Sequence, residues 1–246
     1  MTVVEICLDD LAGVGRAEAA GADRIELCSA LSTGGLTPSI GTVAGALGMA
    51  ERLGVNVLIR QRPGDFVFDA DELAAMVADI RAVAALPRPE GVPLGFVVGA
   101  LRPDGTVDAD ATRALVDACG RAPVTFHKAF DQTPDRAAAL ETLISLGVAR
   151  VLTSGGATTA ADGAAELGAL VTQAGDRIVV LAGGGVRPSS VADLVRRTGV
   201  PEVHLRAVEE AASASLVPSA YDTGRREVTS AATVAAVVDA VRGVHA

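Results

Sequence analysis

Acid–base, thiol and cationic residues recur at the ends of short apolar segments, and their types set the chemistry the chain could perform. Glu5 and Cys7 end the first segment, and Glu26 and Cys28 end the second. Arg60, Arg62 and Asp65 follow, then His127, Lys128 and Asp131, and finally His204 and Arg206. Glu5, Glu26, His127 and Asp131 could exchange protons beside an arginine clamp for an anion. The competing reading is an internal salt-bridge layer in which Glu5 and Glu26 neutralise Arg60, because burying an unpaired carboxylate is costly.

A second group is rich in glycine: Thr153-Ser154-Gly155-Gly156, and Gly183-Gly184-Gly185 before Val186-Arg187-Pro188. Backbone N–H groups in such turns, feeding helix N-termini, suit a phosphate or carboxylate. They also serve as plain tight turns. Cys7 and Cys28 form a third group. If they occupy equivalent positions on neighbouring parallel strands, their backbones lie about 4.8 Å apart, close enough for two soft thiolates to share Cu(I). On residue chemistry alone, two core cysteines explain the pair better, since cysteine is among the most buried residue types. Cys119 reads as structural. Lys128 is the only lysine among 21 basic residues, yet strand alternation places His127 inward and Lys128 toward the helices. That disfavours a Schiff base.

The elements that must position these residues alternate along the chain. Strands are predicted near 3–7, 24–28, 56–60, 94–98, 124–127, 150–153, 178–182 and 202–205, with amphipathic helices such as 71–84, 108–119, 134–146 and 233–244 between them. Thr37-Pro38 and Thr133-Pro134 read as helix starts, and Gly21, Gly54, Gly147 and Gly199 as helix ends. Eight such units in 246 residues match a single-domain α/β TIM barrel. A doubly wound sheet would carry its glycine turn after the first strand, where Cys7-Leu8-Asp9-Asp10 has none. Barrel chemistry sits at the C-terminal ends of the strands, where these side chains fall. The stretch 206–230, with Tyr221 in it, is long for a barrel loop and reads as a lid or an oligomer contact.

Composition narrows the partners. The chain is 50% hydrophobic with 2% aromatics and carries a net charge of −9. It therefore needs an aliphatic core and offers no basic footprint for nucleic acid or an anionic membrane. Three cysteines make no disulfide framework, and residues 1–10 lack a basic leader. A cytoplasmic protein is expected, without a nucleotide cofactor. All five phenylalanines lie between Phe66 and Phe130, and Phe66, Phe68 and Phe130 are candidates to wall a pocket. His245 falls at the tail.

Several long motifs in one order resemble the CutC family over nearly the whole chain. They are Val4-Glu5-Ile6-Cys7, the run from Gly21 to Cys28, Gly34 to Ser39, Ile59 to Phe66, Thr125 to Asp131, Val151 to Gly155, Ala182 to Val186, and Glu202-Val203-His204. Gln61, Pro63, Lys128 and the Leu205-Arg206 pair depart from the usual pattern. The resemblance implies a cytosolic, homo-oligomeric TIM barrel tied to copper homeostasis, with Cu(I) on Cys7 and Cys28. The residues themselves keep an alternative open, an isomerase, lyase or aldolase-like enzyme on a small phosphorylated or carboxylated metabolite. It would bind through Arg60, Arg62, Asp65, Thr153, Ser154, Gly155, Gly184, Gly185, His204 and Arg206, with a divalent cation allowed.

Overall fold

The computed structural model describes residues 2–215, 217, 219, 220 and 222–244, so Tyr221 and His245 lie outside the described residues. Eight parallel strands close into a barrel in chain order, with the eighth pairing back to the first. They are β1 (Val3–Leu8), β2 (Arg24–Leu27), β3 (Gly54–Leu58), β4 (Leu94–Val98), β5 (Val124–Phe126), β6 (Arg150–Thr153), β7 (Val179–Gly183) and β8 (Glu202–Leu205). Outside them lie α1 (Leu11–Ala19), α2 (Ile40–Met49), α3 (Ala70–Ala84), α4 (Ala109–Cys119), α5 (Arg136–Ser145), α6 (Ala164–Ala174), α7 (Val191–Thr198) and α8 (Ala231–Arg242). This is the TIM barrel that the strand count predicts.

Alternation along each strand divides the interior into two environments. Val4, Ile6, Leu8, Ile25, Leu27, Val55 and Val57 point outward and build the aliphatic core against the helices. Cys7, Cys28, Leu58 and Val97 form a separate cluster inside the barrel. Beneath it the barrel is filled by ions. Arg24 donates from Nε to Glu5 (2.5 Å) and from Nη2 to Glu202 (2.5 Å), and Arg150 donates to Glu202 at 2.9 Å. Asn56 adds a hydrogen bond to Glu5 at 2.9 Å. An internal salt-bridge layer therefore exists, but its cations are Arg24, which lies beside Glu5 in register, and Arg150, and not Arg60.

Several local expectations are corrected. Thr37 does not cap α2. Its hydroxyl bridges the Arg60 backbone, and Ser39 accepts from the Thr42 N–H instead. Asp135, not Thr133, caps α5 by accepting from the Ala138 N–H. Gly21, Gly147 and Gly199 do end helices with positive φ, whereas Gly54 opens β3. The long stretch after β8 contains an antiparallel pair, β9 (Val208–Ala212) and β10 (Arg225–Thr229). It is tied down where Arg206 meets Glu227 at 2.6 Å and Thr229 meets Asp10.

Candidate functional site

A cleft of about 490 Å³ opens at the C-terminal ends of the strands, walled by Cys7, Glu26, Cys28, Leu58, Arg60, Phe66, His127, Lys128, Leu152 and His204. One wall joins thiols to an imidazole and carboxyls. Cys7 Sγ lies 3.8 Å from Cys28 Sγ, because both project inward from adjacent strands. His204 shares a 2.8 Å hydrogen bond between Nδ1 and Glu5, and its Nε2 stands 3.5 Å from Glu26. Ligand atoms of Cys7, Glu26 and His204 all lie within 4.8 Å of one another.

The electrostatics of this wall follow from burial and pairing. Burial alone would raise the Glu5 carboxyl, but the hydrogen bond from His204 and the charge of Arg24 outweigh it and hold the pKa at about 2. Burial also opposes a charged His204, yet its bonds to Cys7 and Glu5 push its pKa well above the ordinary value. Cys7 is drawn down to about 6, chiefly by the hydrogen bond from the Cys28 thiol and then by His204. Glu26 goes the other way, raised by burial and by the neighbouring Cys7 charge. These shifts favour a thiolate at Cys7, an imidazolium at His204 and an ionised Glu5, with Glu26 holding its proton more tightly than an ordinary carboxyl. Such a set can bind a soft metal ion or act as a nucleophile.

The side of the cleft from β3 to β5 carries donors. The Arg60 guanidinium lies 4.7 Å over the Phe66 ring, and the His127 ring packs 4.8 Å from the same phenylalanine. Burial and the Arg60 charge bring His127 down to about 3, so its imidazole is neutral. Lys128 also reaches the cleft, contrary to its expected direction toward the helices. It donates to Ser154 Oγ at 2.8 Å and pairs with Asp131 at 3.0 Å. β5 ends at Phe126 and a 3₁₀ turn spans Lys128–Gln132, so strand alternation no longer governs that side chain.

The remaining sequence candidates are used elsewhere. Asp131 accepts from the Thr153 hydroxyl (2.5 Å) and from the N–H groups of Ser154 (3.1 Å) and Gly156 (2.9 Å). The anion held by this glycine-rich turn is the protein's own carboxylate. Gly155 donates to Thr153 Oγ1, and Gly184 and Gly185 turn with positive φ, the former against Lys128. Arg62 is bound to Glu72 (2.5 Å) and Asp65 (3.1 Å) in an exposed loop, with Phe68 stacked beneath it. Neither Arg62, Asp65 nor Arg206 walls the cleft. Phe66 does, whereas Phe130 is fully buried in the core.

Residues absent from the sequence reading also shape the site. Arg24 and Asn56 support Glu5 from below, and Glu202 holds Arg24. Gly99 makes room for His127, since a Cβ there would lie 2.3 Å from Cε1. The signal was available as Gly95 and Gly99, glycines in and just past a buried strand that mark close approach. Gly99→Ala is expected to cost about 1–3 kcal/mol through overpacking, read from the urea midpoint. An unchanged midpoint would show that the ring relaxes freely.

Fold and cleft together define a TIM-barrel protein with a buried thiol–imidazole–carboxyl cluster at its mouth. The chain belongs to the CutC family, whose pattern it matches over residues 2–209. It is 48% identical over 202 residues to a CutC family protein of Caulobacter vibrioides, covering 82% of this chain and 80% of the relative. It is 42% identical over 205 residues to the human copper homeostasis protein cutC homolog, covering 83% and 73% respectively. The crystal structure of a CutC protein from Streptococcus agalactiae superposes with a TM-score of 0.77 at 32% identity, covering 83% of this chain and 98% of that one. Phosphoribosyl anthranilate isomerase of Thermococcus kodakaraensis, at 18% identity and a TM-score of 0.58, covers 98% and 99% and shares the fold. Among the described residues no helix is long and apolar enough to cross a membrane.

Proposed function

We propose that the chain binds Cu(I) through the Cys7 and Cys28 thiolates in a copper-homeostasis role. The observation that carries this is the 3.8 Å approach of the two sulfurs in a buried cleft. Soft thiolates favour Cu(I), and His204 and Glu26 stand close enough to Cys7 to complete a coordination set. The name of the human relative supports the same role. Three free cysteines suit a reducing compartment, which supports a cytoplasmic placement. Exposed Leu11, Ile40 and Met49 on α1 and α2 support self-association into a homo-oligomer.

The test is anaerobic titration of the reduced protein with Cu(I) against a competing chelator. The wild type is expected to take up one ion, and Cys7→Ser/Cys28→Ser to bind at least about a hundredfold more weakly, since even outer-shell changes cost about 10–100-fold. Wild-type affinity in the double variant would overturn the proposal, and preferential retention of Zn(II) would replace copper with zinc.

A second reading, an isomerase, lyase or aldolase-like enzyme, is favoured by one arrangement. His204 lies between Cys7 and Glu5, the order of an activated thiol, its imidazole and an orienting carboxylate.

A further inference from the structure

We infer that the outer part of the cleft binds a small organic carboxylate, held by Arg60 and His127 with Lys128 beside them. Arg60 is 6% exposed and makes no ion pair with a carboxylate among the described residues. Its Nη atoms donate to the carbonyls of Gly34, Gly35 and Gly64, which fixes the guanidinium plane without neutralising it. The Nε–H is buried with no partner. Asp65, whose charge acts on Arg60 from the same loop, is committed to Arg62 and to the Val67 N–H. A buried cation without a counter-charge is costly unless an anion completes it.

His127 supplies the second open donor. Its Nδ1 accepts from the Ala129 N–H at 3.2 Å, so the neutral ring carries its proton on Nε2. That Nε2 is buried and lacks a partner, in a side chain only 6% exposed. Phe66 packs against both this ring and the guanidinium, and both side chains line the same cleft.

The donor set selects a carboxylate over a phosphate. In the 153–156 turn, the Ser154 and Gly156 N–H groups that would serve a phosphate dianion are already spent on Asp131. What remains is one guanidinium and one imidazole N–H, which suit a planar two-oxygen acceptor. Leu58 and Leu152 line the same cleft as the donors and the thiols, which gives a short aliphatic body apolar walls beside Cys7. This site does not require copper.

The thiols across the cleft make the proposal testable on the reduced, metal-free full chain. Iodoacetate and iodoacetamide both alkylate thiolates: a sulfur–carbon bond forms, the carbon–iodine bond breaks, iodide leaves, and the thiol proton passes to buffer. The reagents differ in carboxylate against amide. Mass spectrometry at Cys7 is expected to show saturable reaction with iodoacetate, at least about tenfold faster than with iodoacetamide, the scale of one charged hydrogen bond. The urea-denatured chain should show no such preference. Propionate and pyruvate should protect, whereas equal inorganic phosphate should not. Arg60→Gln should abolish the preference. Because Arg60 also anchors three loop carbonyls, the wild-type protection series and a calorimetric titration with propionate provide readouts that need no variant. Equal rates for the two reagents, unreactive thiols, equal protection by phosphate, or no heat with propionate would each overturn the assignment.

Discussion

Arg24→Met is expected to lose about 3–5 kcal/mol of folding free energy, the range for removing one partner of a buried ion pair. The guanidinium touches Glu5 and Glu202 at 2.5 Å each inside the barrel, so methionine strands two carboxylates away from water. Arg150 still reaches Glu202, and His204 still reaches Glu5, which keeps the loss below that of two fully isolated charges. Urea denaturation gives the measurement, and adding Glu5→Gln should recover part of the loss because the two changes share one interaction. A loss below about 1 kcal/mol would show that water reaches the layer. The pH dependence has a definite sign. Glu5 is lowered from 4.5 to about 2, so its contribution is complete above the unfolded value of 4.5 and disappears as pH falls toward 2. Without Arg24 the Glu5 carboxyl takes up its proton at higher pH, and acid unfolding should begin earlier.

Asp131→Ala is expected to cost about 2–4 kcal/mol and to create a phosphate site that the wild type lacks. The substitution leaves the Thr153 hydroxyl and the Ser154 and Gly156 N–H groups without their shared acceptor, at about 1–3 kcal/mol for each donor left unsatisfied, less what water restores. Lys128 loses its carboxylate at the same time. Inorganic phosphate can then occupy the turn and stabilise the fold by mass action. Thermal melts followed by circular dichroism should rise with phosphate in Asp131→Ala and stay fixed in the wild type. A wild type that responds equally would show that the turn already accepts external anions.

The barrel was legible because strand cores such as Leu94–Val98 and Glu202–Leu205 announce themselves as short apolar runs, and because the glycine turns come late. Cys7, Cys28, Glu26, His127 and His204 were each legible as inward strand-end residues because such positions repeat every second residue, but the sequence divided them among metal, proton-transfer and anion-binding roles that one cleft joins. Arg62 and Asp65 were drawn toward the site by type, but their spacing of three lets them satisfy each other in the loop. Arg206 finds Glu227 across the β9–β10 pair, a contact between positions far apart in the chain. Asp131 could not be assigned to the glycine turn from the sequence because a 3₁₀ turn swings it back onto the next strand end. Arg24 and Glu202 were overlooked because they lie at strand starts, away from the face where barrel chemistry is sought.

The ionic plug of Arg24, Glu5 and Glu202 has a consequence for traffic. It fills the barrel below the thiols, so the cleft is approached from the C-terminal ends of the strands. Arg60 lies two residues beyond Leu58 on the same strand exit, one side-chain layer nearer that entrance than the sulfurs. Anything seated at Cys7 and Cys28 shares that cleft with Arg60 and His127 on the way in and again on the way out. An ion at the bottom and a carboxylate above it would therefore load in a fixed order and leave in the reverse order, last in and first out.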